Sequence, residues 1–61
     1  AVAFLEQATI LEPTDPVISD HLGDAYWATG RFVEAHFKWR YALSITDDND
    51  LKAKLTDKLT R

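Results

Sequence analysis

The feature that most constrains this chain of 61 residues is that part of it occurs twice. Displaced by 34 positions, Ala1 meets Ala35, Ala8 meets Ala42, Leu11 meets Ile45, and the large apolar Leu5 meets Trp39. Both copies space their apolar residues three or four apart, the period of an amphipathic helix. A helix that returns after this interval implies a repeating helix–turn–helix unit, in which each element buries its face on the next.

Read along its length, the chain predicts four helices and no strand. The first covers residues 1–12, with Phe4, Leu5, Ala8 and Leu11 on one face, Ala1 a turn earlier, and Pro13 as its stop. Asp15 suits a cap and Pro16 the first position of a second helix, expected from about Pro16 to Thr29 with the stripe Ile18, Leu22, Ala25 and Tyr26. Gly30 permits a tight turn. A third helix, from about Arg31 to Ile45, carries Phe32, Ala35, Trp39, Ala42 and Leu43. The run TDDND, residues 46–50, breaks the pattern and offers capping carboxylates to a fourth helix, from about Asp48 to Arg61. There Leu51, Leu55 and Leu59 form a narrow stripe to pack on the third helix, while Lys52, Lys54, Asp57, Lys58 and Arg61 are expected to face water. The connectors are short, which favours antiparallel neighbours.

Charge and composition exclude several classes of function. Residues 1–30 hold five acids and no Lys or Arg, whereas residues 31–61 hold seven bases and five acids, so the halves carry −5 and +2. Neither half has the basic footprint of a nucleic-acid binder. No apolar run is long enough to span a bilayer, and three leucines without an aromatic make the fourth helix a poor membrane-surface helix. The opening AVAFLEQA lacks a basic start and contains Glu6, unlike a signal peptide. It lacks an initiator methionine and enters helical periodicity at once, so the chain reads as a piece cut from a longer protein. There is no cysteine for a disulfide or a thiolate metal site.

The spacing of several residues resembles the tetratricopeptide repeat, whose pattern runs W-x2-L-G-x2-Y, then A-x3-F, then A, then P. Leu22, Gly23 and Tyr26 stand in the first block, followed at the right distances by Ala35, Trp39 in the phenylalanine position, and Ala42. Ala1, Leu5, Ala8 and Pro13 fit the later part of a preceding copy. Ser19 replaces a tryptophan, implying a weaker contact there, and Asp47 replaces the closing proline, as suits an array that is ending. The resemblance implies an all-α solenoid segment: residues 1–13 the second helix of a partial repeat, 14–47 one full repeat, and 48–61 a C-terminal capping helix. It also implies a reason for Gly23. Glycine inside a helix costs about 1 kcal/mol relative to alanine, and here it would let the second helix approach Ala35, and Ala42 beyond it.

The same resemblance implies a protein-binding module. The first helix of each pair lines a concave groove, which places Val17, Asp20, His21, Asp24, Trp27 and Ala28 on the ligand side. Trp27 either stands between the acids as an anchor for a partner or packs on neighbouring helices. Relatives that grip C-terminal carboxylates use Lys, Arg and Asn on this face, and Asp20 and Asp24 would repel such a ligand. A protein or peptide with basic and apolar groups fits better. Two other roles are open: assembly of a homo-oligomer through Trp39, Tyr41 and the last helix, and service as an accessory module of an enzyme lying upstream. The apolar surface of residues 1–12, including Val2 and Phe4, is expected to lie open and to favour self-association as a product of truncation. No catalytic role is expected. His21 and His36 are the only histidines, no HExxH, GxSxG or phosphate loop occurs, and Asp47 to Asp50 lack the glycine and distal glutamate of a calcium loop. Neither a cofactor nor a metal ion is expected.

Overall fold

A computed structural model describes residues 2–12 and 14–61, and these are all-helical. The elements are α1 (Val2–Leu11), α2 (Pro16–Ala28), α3 (Phe32–Ile45) and α4 (Asn49–Lys58). Ala1, which begins the repeat, and Pro13, expected to end the first helix, lie outside the described residues. Packing follows chain order: α1 on α2, α2 most extensively on α3, and α3 on α4.

Local chemistry sets the boundaries. The Asp15 carboxylate accepts hydrogen bonds from the backbone N–H of Val17 and Ile18, at 2.9 and 3.3 Å, with Pro16 directly after it. This satisfies two of the donors that a helix start leaves unpaired. At the other end of α2, Gly30 adopts a φ of 81°, a region open to glycine at little cost. Arg31 N–H then donates to the Tyr26 carbonyl at 2.9 Å and Gly30 N–H to that of Trp27 at 3.1 Å, the paired bonds of a Schellman stop. Within TDDND, Asp48 is the cap: its side chain accepts from Asp50 and Leu51 N–H, while its own N–H donates to Thr46 Oγ1.

The core is thin and centred on α3. Leu22, Tyr26, Ala35, Trp39, Ala42 and Leu55 are buried, and Leu5, Trp27, Leu43, Leu51 and Leu59 pack against them. The leucine stripe of α4 thus does pack inwards. Gly23 faces Ala35, as expected, but its nearest neighbour is Trp39. A methyl group there would stand 2.5 Å from Trp39 Cδ1, closer still to Nε1, and 3.1 Å from the Ala35 carbonyl oxygen. The glycine therefore makes room for an indole more than for the small side chain of Ala42. That indole N–H donates to the Asp20 backbone carbonyl at 3.3 Å.

Several expectations need correction. Ser19 is a buried tie between helices, its hydroxyl donating to the Lys38 carbonyl at 2.8 Å, because a small side chain lets α2 and α3 approach there. Phe4 lies open as expected, and so does Leu11, whereas Val2, also expected to lie open, is half-buried against the core. Only α2 covers α1, so just one side of its apolar arc is buried. Phe32 is half exposed and rests on Trp27, with ring centroids 4.5 Å apart. Trp39, assigned to an outer assembly face, is fully buried and has no outer surface to offer. Lys58 does not face water, because two carboxylates draw it inwards.

Candidate functional site

Residues 17, 20, 21, 24, 27 and 28 follow one another at helical spacing along α2, opposite the side that carries Leu22 and Tyr26. They do not share one environment. Val17, His21 and Ala28 are exposed, Asp24 and Trp27 are half-buried, and Asp20 is only 5% exposed.

Lys58 from α4 organises the acidic part of this face. Its ammonium lies 2.7 Å from Asp20 Oδ1 and 3.0 Å from the Asp24 carboxylate. Burial disfavours the charged lysine, but the hydrogen bonds to Asp20 and Asp24 outweigh it and hold its pKa above the ordinary lysine value. Two carboxylates against one ammonium leave a net negative charge, concentrated at Asp24, whose side chain remains 44% exposed. Asp20 thus stands inside the molecule as the anchor for α4. Sequence reasoning missed Lys58, and its signal was weak: one cation among several on a polar helix, with no local spacing linking it to residues some 34 to 38 positions earlier.

Trp27 belongs to an aromatic cluster. Its ring stacks on His36 at 5.9 Å and tilts against Trp39 at 5.7 Å, in addition to Phe32. One side is packed and the rest borders the α2 face. His36 is thereby placed among rings, and His21 lies on the outer stripe, so the two histidines do not share a site. Arg61 and Lys58 sit 5.7 and 6.0 Å from the Trp39 ring centroid, within reach of a cation–π attraction.

On the other side of α2, the Tyr26 hydroxyl donates to the Glu6 carboxylate of α1 in a short hydrogen bond. Burial first, and then this bond to an anion, raise the tyrosine pKa. Arg31 stacks over the same ring at 4.3 Å and pairs with Glu34. Among the described residues no group of three His, Asp or Glu side chains is placed to hold a metal ion, and no helix is long and apolar enough to cross a membrane. No family model matches the chain, and neither a curated protein nor a solved structure is significantly similar to it.

Proposed function

We propose that this chain is a tetratricopeptide-type segment that binds a peptide or protein segment on the outer stripe of α2 and carries out no chemistry of its own. The observation that carries the reading is the continuity of that stripe. Val17, His21 and Ala28 are exposed along one helix face, with the partly open Asp24 carboxylate between them and the edge of Trp27 alongside. An apolar rim around a residual negative charge suits a segment that pairs an apolar anchor with a Lys or Arg. The ligand contacts are narrower than the spacing implied: Asp20 is a support, and Asp24 is the charge that reads the partner.

The test is selection from a random peptide library against the intact chain, followed by titration using Trp27 and Trp39 fluorescence. Enriched peptides are expected to hold a basic residue next to an apolar one, and to lose at least tenfold in affinity for a Val17→Arg, Ala28→Arg variant of unchanged helicity. Peptides that bind this variant as well as the parent would remove the stripe as the site.

A further inference from the structure

We propose that two copies of this chain pair about a two-fold axis through the cleft between α1 and α3. The cleft has a volume of about 400 Å3, with Glu6, Thr9 and Ile10 of α1 on one wall, Lys38 of α3 on the other, and Leu22 and Tyr26 of α2 as the floor. It exists because α1 and α3 both pack on α2 and make little direct contact with each other. The proposal does not rest on the peptide-binding stripe, which lies on the opposite side of α2.

Two properties point to a second copy as the occupant. The first is exposed apolar surface: Ile10 on the α1 wall is 78% exposed, and Phe37, which neighbours the α3 wall residue Lys38 outside the cleft, is 65% exposed. Lys38 stands beside Phe37, its ammonium 5.7 Å from the ring centroid. The second is opposite charge on the two walls. The charged residue of the α1 wall is Glu6, and that of the α3 wall is Lys38. A two-fold axis lays the acidic wall of each copy on the basic wall of the other, so every favourable contact is made twice. The groups are available for this. The ion pairs among the described residues engage Arg31 and Lys58 but not Lys38. Glu6 already accepts the Tyr26 hydroxyl, but a carboxylate has about four acceptor positions and takes a further donor. A foreign partner would have to reproduce this mixed pattern, which a second copy has by symmetry.

A standard interface buries about 800 Å2 per partner, roughly a fifth of the 3992 Å2 surface of this chain. One small cleft and its rim offer little more than that, so the pairing is expected to be weak. Sedimentation equilibrium of the whole chain from about 10 μM to about 1 mM should show the mass rising from one chain to two and stopping there. Ile10→Asp and Lys38→Glu should each move the transition at least tenfold higher in concentration without changing helicity. Glu6→Lys and Lys38→Glu chains should each be impaired alone and form one-to-one dimers when mixed, because each then supplies the charge that the other lacks. Should Glu6→Lys not fold, Ile10→Asp and Lys38→Glu carry the test. A chain that stays monomeric throughout overturns the proposal, as does a mass that climbs past two chains, pairing that survives Ile10→Asp, or folded charge variants that do not recover on mixing. The Val17→Arg, Ala28→Arg variant should dimerise normally, which keeps this outcome separate from the fate of the peptide-binding stripe.

Discussion

Helices α1 and α3 share residues at matched positions and occupy different environments. Ala35, Trp39 and Ala42 of α3 are fully buried, whereas α1 has no buried residue, and Leu5 and Ala8 are half-buried. The cause is the number of neighbours. Helix α3 lies between α2 and α4, whereas α1 packs on α2 alone. An apolar pattern thus states which face of a helix can be buried; how much of that face is buried depends on what packs against it.

Substitution at the matched pair should break the two helices apart most clearly. Trp39→Ala removes the largest fully buried side chain at about 3–5 kcal/mol, against a total stability of roughly 3–9 kcal/mol for a chain of this length. Circular dichroism should show most of the helix lost at 25 °C, with the indole bond to Asp20 gone as well. Leu5→Ala at the equivalent site of α1 should cost about 1–2 kcal/mol and leave a cooperative urea transition.

The next largest effect should come from Gly23→Ala. The new methyl collides with the fully buried Trp39 ring, a cost of about 1–3 kcal/mol, while helix propensity returns about 1 kcal/mol. The middle of that range leaves a net loss of about 1 kcal/mol, a Tm lower by about 4–8 °C. A thermal melt in which the variant equals or exceeds the parent would mean that the indole yields more easily than its burial indicates.

Lys58 tests the other side of α3. Lys58→Met keeps an apolar stem but leaves the Asp20 carboxylate buried without its partner, a loss of about 1–3 kcal/mol. Hydrogen exchange should quicken in α4 before it does in α2 or α3. The same contact governs alkaline behaviour. The folded lysine has a raised pKa, so its contribution is complete below the unfolded value and disappears as pH rises through the folded value. The raised pKa of Tyr26 acts in the same direction, because the unfolded state loses its phenolic proton first. Urea midpoints should stay level in this respect up to about pH 10 and then fall, and less steeply in Lys58→Met than in the parent. At the small end, Phe4→Ser on the outer side of α1 should change stability by no more than about 0.5 kcal/mol, since Phe4 is 74% exposed.

The helices were legible because their signals are local. Asp15–Pro16 starts α2, Gly30 stops it, and Asp48 starts α4, each acting within a few residues of the bond it makes. The stripe Leu22, Tyr26, Ala35, Trp39 and Ala42 announced the core because periodicity carries burial when both sides are covered. The candidate site was legible only as a face of α2. Helical spacing put Asp20 and Asp24 together, but it carried no information about a cation arriving from α4. Nor could it decide whether Trp27 stood free or joined Phe32, His36 and Trp39, since that depends on how α3 crosses α2.

Taken alone, the sequence determined that the described residues are all-α, where α2 and α3 begin and end and where α4 begins, and which residues form the stripe between α2 and α3. Those properties follow from capping, turn chemistry and the 3.6-residue period, which act over one or two turns. Tertiary structure alone decided that Trp39 fills the space beside Gly23, that Ser19 ties α2 to the Lys38 carbonyl, that Lys58 neutralises part of the acidic face, and that α1 and α3 splay into a cleft. Each of these depends on the angle and distance between helices, and those are set by how side chains far apart in the chain share the same space.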